Sequence, residues 1–195
     1  PGADFDDLPQ AIKLAEKYDE VFFAVGIHPY DIDKFDEVTM EKYVNHPKCI
    51  AIGECGLDRL RGENLENQII ILEKQIELAE KIRKPLILHC VKCFAELIAI
   101  KDRLRVKVPM IIHGFNKNEE LGKQLLDKGF ILSFGLTILK ENSGAAKLIQ
   151  TTNNFFLARR EFEEAARLEP TKASYFSSLG FIYDRSGKKA KAMEA

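Results

Sequence analysis

The sequence has almost no net charge and no long apolar run. Its 29 Lys and Arg against 30 Asp and Glu leave a formal net charge of −1, so no overall basic field attracts nucleic acid or an anionic membrane, although a local metal ion would still recruit phosphate. No apolar run approaches the roughly 20 residues needed to cross a bilayer, and residues 1–4 resemble no secretory signal. We therefore expect a cytoplasmic protein with no membrane partner.

Cysteine is also scarce, which argues against a disulfide framework. The four cysteines lie in or beside apolar segments that suit reduced, buried thiols. Cys90 and Cys93 have the spacing of a redox pair, but no other feature supports that function. An all-cysteine zinc site would need Cys49 and Cys55 nearby. The 195 residues, 46% of them hydrophobic, are enough for one sizeable core, alone or with a small appendage.

Hairpin signals are absent, and short apolar runs alternate with amphipathic stretches instead. This alternation predicts an α/β fold in which helices cover a parallel sheet. The predicted strands are 21–27, 49–53 with Glu54 as its last residue, 85–88, 108–112, 130–134 and a sixth beginning at 154–157. The predicted helices are 6–18, 39–45, 64–82, 94–104, 118–128 and 143–150. In a β/α barrel the carboxyl ends of such strands open at one mouth.

Polar residues stand at four of these strand ends: His28, Glu54, His89 and His113. Their convergence on one face would supply the hard oxygen of a carboxylate and the nitrogens of imidazoles, with positions left for water, as a divalent metal requires. We predict Glu54, His89 and His113 as metal ligands. Such a site lowers the pKa of bound water and polarises a phosphoryl oxygen.

Three neighbouring residues keep alternative interpretations. His28 either contacts a substrate phosphate at the same mouth or holds the following turn. Asp58 either supports the metal ligands from behind or caps the next segment, and the pattern favours the cap. His46 precedes a proline at the opposite end of its strand, which indicates a structural role.

At these residues the chain resembles the TatD family of metal-dependent hydrolases, β/α barrels assigned as deoxyribonucleases. The resemblance covers 1–157 and rests on Gly26-Ile27-His28-Pro29, Gly53-Glu54-Cys55-Gly56-Leu57-Asp58, Pro85 with His89-Cys90, and Ile112-His113-Gly114-Phe115. It implies a nuclease acting on nucleic acid. It also implies that Glu54 bridges two metal ions and that His89 and His113 hold the second ion. We predict Glu54 as the catalytic residue and, from its place at a strand end, His28 as a substrate-binding residue.

Two motifs of the resembled family are absent from the sequence. It contains no His-x-His, and Ala158-Arg159-Arg160 stands where the family's last strand continues with Glu-Thr-Asp. We therefore expect an incomplete TIM-type barrel that holds one divalent ion (Mg, Mn or Zn) rather than two, with weak or no nuclease activity. A sheet lacking its first strands leaves unpaired edges, which predicts self-association.

The pattern changes after residue 157. From Ala158 to Ala192 the offset is 34 positions, the tetratricopeptide period, so 158–195 is predicted as a helical hairpin of that type, following a partial barrel at 1–157. Only about one and a quarter repeats are present, whereas about three are normally needed. Two alternative functions follow: a module that binds a peptide partner, or an engineered or recombined chimera without native activity.

Overall fold

The computed structural model describes residues 5–135, 140 and 142–152. They divide into two compact units, one of residues 5–113 and 128–131, the other of 114–127 with the described residues from 132 onward. The predicted strand at 154–157 and the tetratricopeptide-like hairpin at 158–195 lie outside the described residues. They stay predictions, as does the boundary at residue 157.

Five short strands form a single sheet, in the order in which they occur along the chain. The strands are β1 (Phe23–Val25), β2 (Cys49–Asp58), β3 (Leu86–Val91), β4 (Met110–Ile112) and β5 (Phe130–Leu132). The pairs β1–β2, β2–β3 and β3–β4 are parallel. Their residues are largely buried, as expected when a parallel sheet is covered by helices. The predicted α/β fold with a parallel sheet is confirmed, and the sheet described has five strands.

Six helices occur in the described residues, close to their predicted positions. They are α1 (Leu8–Lys17), α2 (Glu37–Val44), α3 (Leu65–Ile82), α4 (Phe94–Leu104), α5 (Glu119–Asp127) and α6 (Gly144–Thr152). Helices α1 to α4 pack against the strands of the sheet. None of the helices described is both long and apolar enough to cross a membrane.

Helix α3 is the longest helix described, and local signals define both of its ends. The side chain of Asn64 accepts a hydrogen bond from the backbone N–H of Asn67 at 2.9 Å, which satisfies one of the free donors of the first turn. Arg83 ends the helix in the left-handed conformation, with φ of 56°. Between these caps, Leu72, Ile76 and Ala79 are buried on one face.

The prediction that β2 ends at Glu54 is wrong, because the strand continues to Asp58. The glycines on either side of Glu54 predict a turn, but here they allow β3 to approach closely. A Cβ atom on Gly53 would lie 2.6 Å from the carbonyl oxygen of Ile87, and one on Gly56 would lie 2.0 Å from that of His89. The pairing of β2 with β3 changes register across Glu54, which therefore lies within the strand.

The predicted strand tip at His89 is also corrected, because β3 continues through this residue to Val91. The register places Gly56 opposite His89. The apolar run 85–88 ends before His89, but backbone pairing with β2 does not depend on side-chain polarity. The extended pairing fixes the backbone of His89 within the sheet, and Glu54 lies at the change of register between the paired residues Ile52 and Cys55.

Among the described residues of the second unit, α5 and α6 pack on each other. A Cβ atom on Gly122 would lie 2.3 Å from a methyl carbon of Leu148, so this glycine allows the two helices to approach closely. The rings of Phe115 and Phe134 meet edge to face with centroids 6.1 Å apart. None of the predicted site residues belongs to this unit.

Candidate metal centre

Three side chains of the first unit form a compact group of metal-ligating type: His28, Glu54 and His89, whose ligand atoms all lie within 4.8 Å of one another. Glu54 Oε1 is 3.4 Å from His89 Nδ1 and 3.9 Å from His28 Nε2. Their side chains are 12–20% exposed. The group is therefore sheltered from bulk water but accessible to a small ligand.

Adjacent strands bring these residues together. Glu54 lies on β2 and His89 on β3, and the two strands are paired in parallel from Cys55 to Asp58. His28 follows β1, the neighbour of β2 on its other side. The predicted convergence of polar residues on one side of the sheet is thus observed for these three.

His113 lies near this group but is not a member of it. It directly follows β4, and its backbone N–H donates to the carbonyl oxygen of Leu88 at 2.9 Å. Its side chain interacts electrostatically with Glu54 and helps to lower the pKa of that carboxyl. The prediction that His113 is a metal ligand stays a prediction.

The electrostatics of the group favour an anionic carboxylate on Glu54 and a neutral imidazole on His28, and they favour protonation of His89. The hydrogen bond with His89 lowers the pKa of Glu54 against the opposing effect of burial. Burial, followed by the positive charge of His89, lowers the pKa of His28. Burial also disfavours the charged form of His89, but its hydrogen bonds to Glu54 and Asp58 prevail and raise its pKa.

Asp58 fulfils both of the roles that the sequence left open. Its side chain is 2% exposed, and Oδ2 lies 2.9 Å from His89 Nε2 and accepts from the hydroxyl of Tyr30 at 2.8 Å. The other oxygen, Oδ1, accepts from the backbone N–H groups of Leu60 at 2.8 Å and Arg61 at 3.1 Å. One carboxylate thus caps the following turn and supports a histidine of the site.

Sequence reasoning missed two buried glutamines on α3 that hold the backbone of the site. Gln75 accepts from the N–H of Ile27 at 2.8 Å and donates to its carbonyl oxygen at 3.1 Å. Gln68 does the same for Asp58, at 2.7 and 3.0 Å. The only available signal was their spacing of two helical turns, which puts both amides on one face of α3.

The donor set fits a divalent ion. Glu54 provides an anionic oxygen, and His89 turns Nδ1 toward it while the opposite ring nitrogen faces a buried carboxylate, the arrangement typical of histidine ligands in metal sites. The four cysteines are free and buried, and burial raises the pKa of Cys90 to about 12. Protonated, unpaired thiols support neither the redox nor the all-cysteine zinc alternative.

Carboxylate and imidazole donors gathered on adjacent strands of a parallel α/β sheet define the class of this protein: a β/α protein with a candidate site for a divalent metal ion. The model of the TatD related DNase family matches residues 1–157. The chain belongs to this family of metal-dependent hydrolases and nucleases.

Individual relatives agree with this assignment. The chain is 27% identical over 148 residues to the 3'-5' ssDNA/RNA exonuclease TatD of Citrobacter koseri, covering 73% of this chain and 57% of the relative. It is 30% identical over 151 residues to the uncharacterized metal-dependent hydrolase YabD of Bacillus subtilis, covering 75% and 59%. The chain therefore spans somewhat more than half the length of these relatives.

Solved structures resemble the fold as well. The TatD homologue YjjV of Escherichia coli aligns with a TM-score of 0.68 and 26% identity, over 77% of this chain and 61% of that one. A TatD family hydrolase from Entamoeba histolytica aligns with a TM-score of 0.64 at 22% identity, over 76% and 54%. The five-stranded parallel sheet thus corresponds to part of a larger TatD-type fold.

Proposed function

We propose that this protein is a metal-dependent phosphodiester hydrolase that acts on single-stranded nucleic acid. The observation that carries the proposal is the group of Glu54 and His89, on adjacent parallel strands, with His28, which follows the neighbouring strand β1. Support for the substrate class comes from the 3'-5' ssDNA/RNA exonuclease to which the chain is similar. The net charge of −1 provides no overall basic field to attract this substrate.

Glu54 and His89 would hold the ion, and His113 is the proposed third ligand. When bound, a divalent ion supplies Lewis-acid polarisation of the phosphodiester and a nucleophile at neutral pH. The lowered pKa of Glu54 keeps its carboxylate ionised for this role. Among the described residues, Glu54, His89 and His113 together would suffice for one ion. Because a pair of ions clamps both the attacking and the leaving oxygen, we propose that turnover is slow.

His28 is proposed to bind the substrate rather than the ion. Its Nδ1 accepts a hydrogen bond from the backbone N–H of Tyr30 at 3.3 Å, so the neutral ring carries its proton on Nε2. That nitrogen is the one that faces Glu54. It can therefore donate a hydrogen bond to a phosphoryl oxygen beside the carboxylate. The same contact holds the turn, so both alternatives for His28 operate together.

Calorimetric titration with Mn²⁺ and Zn²⁺ tests the metal site. Wild type should bind one equivalent, Glu54→Gln should bind none, and the control His46→Gln should bind as wild type. The imidazole of His46 accepts from the backbone of Lys48 and pairs with Glu16, away from the candidate site. Failure of wild type to bind either ion would refute the proposed function.

Cleavage of an end-labelled single-stranded oligonucleotide tests the reaction. We expect slow cleavage that needs added metal, disappears in Glu54→Gln and persists in His46→Gln. Equal cleavage by wild type and Glu54→Gln would exclude this site as its source. The predicted peptide partner and self-association have no support among the described residues and are not part of the proposal.

A further inference from the structure

The buried carboxylate of Asp58 has no capacity left for a direct role at the site. Its two oxygens already face four hydrogen-bonding groups: the Tyr30 hydroxyl, His89 Nε2, and the backbone N–H groups of Leu60 and Arg61. With its side chain 2% exposed, no oxygen remains open to a metal ion or a substrate. Asp58 can influence the chemistry only through the group that it touches in the site, the imidazole of His89.

The distances around His89 decide where its proton lies. Nε2 is 2.9 Å from Asp58 Oδ2, whereas Nδ1 is 3.4 Å from Glu54 Oε1. The shorter contact is the stronger hydrogen bond, so a neutral ring keeps its proton on Nε2. Nδ1 then presents a lone pair toward Glu54, which is the form that a metal ion binds.

We propose that Asp58 is a positioning residue that selects this tautomer of His89. The proposal deepens the proposed function, on which its consequence for metal affinity rests. The location of the proton does not depend on the proposed function. Tyr30 assists by donating to the same oxygen, Oδ2, and so orienting the carboxylate. The backbone N–H groups of Leu60 and Arg61 fix the other oxygen, so the side chain cannot rotate without losing both.

Asp58→Asn reverses the selection without changing the shape of the side chain. The backbone donors of Leu60 and Arg61 require an oxygen, so the amide oxygen must take the place of Oδ1. The NH₂ group of the asparagine then faces both His89 and the Tyr30 hydroxyl. It can only donate hydrogen bonds; the Tyr30 hydroxyl can accept one of them. Nε2 of His89 must now be the acceptor. The ring proton moves to Nδ1, toward Glu54, where it blocks the lone pair.

The test is ¹⁵N NMR of histidine-labelled protein in the presence of a chelator, at a pH above the titration of His89, where the ring is neutral. Wild type should carry its His89 proton on Nε2, and Asp58→Asn should carry it on Nδ1. The control Asp33→Asn, at an exposed aspartate of the same unit, should match wild type. A wild-type proton on Nδ1, or the same tautomer in both proteins, would overturn the proposal. The wild-type measurement remains decisive if the variant does not fold.

Metal affinity is the second readout. Loss of such a supporting carboxylate typically weakens metal binding by about 10- to 100-fold. We expect a loss of this size for Asp58→Asn in titrations with Mn²⁺ or Zn²⁺, and unchanged affinity for Asp33→Asn. Unchanged affinity in Asp58→Asn would refute the consequence for the site. If neither wild type nor variant binds metal while the tautomers differ as predicted, the proposed function fails and the positioning role stands.

Discussion

The buried amide of Gln75 offers a sharp test of how the site is held, through the substitution Gln75→Leu. Its side chain makes both hydrogen bonds to the backbone of Ile27, the residue before His28. Gln75 and Ile27 are each 1% exposed, so water does not replace the lost partner. Leucine keeps a comparable apolar volume and helix propensity, and therefore isolates the loss of the two hydrogen bonds.

The expected cost follows from the two backbone groups left unpaired. Each buried, unsatisfied donor or acceptor costs about 1–3 kcal/mol, so Gln75→Leu should lower the free energy of unfolding by about 2–6 kcal/mol. Total stabilities of about 5–15 kcal/mol make this a large fraction. Urea-induced unfolding followed by circular dichroism measures the difference.

The matched control is Gln124→Leu, the same substitution at an exposed position of α5, which should change stability by less than about 0.5 kcal/mol. A cost below about 0.5 kcal/mol for Gln75→Leu as well would refute the argument that this amide anchors the backbone before His28. If the cost is large, calorimetric titration of the folded variant with a phosphate-containing substrate analogue should also show weaker binding than in wild type. That result would follow from a displaced His28.

Three further predictions concern the strands and the titrating groups of the site. Gly56→Ala should lower the thermal midpoint, because φ is 138° and the added Cβ would lie 2.0 Å from the carbonyl oxygen of His89; an unchanged midpoint would contradict the observed pairing. Thiol labelling at about pH 8 should be slow until denaturant is added, since burial raises the pKa of Cys90 to about 12 and the other three cysteines are also buried; rapid labelling of the native protein would contradict this. Burial opposes protonation of His89, but its hydrogen bonds to Glu54 and Asp58 raise its pKa above 6.5. The protonated ring therefore stabilises the fold fully below pH 6.5, and this stabilisation is lost as pH rises through the folded-state pKa. With a chelator present, wild type should therefore lose stability relative to His89→Gln as pH rises above about 6.5, and parallel pH profiles would contradict the assignment.

The sequence alone was enough to predict the order of helices and strands and the parallel sheet. These follow from local patterns: continuous apolar runs for strands buried on both faces, and helical periodicity with caps such as Asn64. The rule that parallel strands end on the same side also predicted that Glu54 and His89 lie close together, although both strands continue past these residues. The proximity of Glu54 and His89 depends on the order and direction of the strands, and so it can be predicted from the sequence.

Only the tertiary structure decided where the strands end, which residues form the candidate metal-binding group and which residues hold that group in place. Glycines 53 and 56 look like turn residues in sequence, and the proximity of β3 makes them strand residues. His28 rather than His113 completes the compact group with Glu54 and His89 because of side-chain directions and distances, which no spacing encodes. Asp58 both caps a turn and faces His89, and Gln75 satisfies a loop 48 positions away in sequence. Each is a contact between residues remote along the chain, and such contacts exist only once the helices and strands have packed.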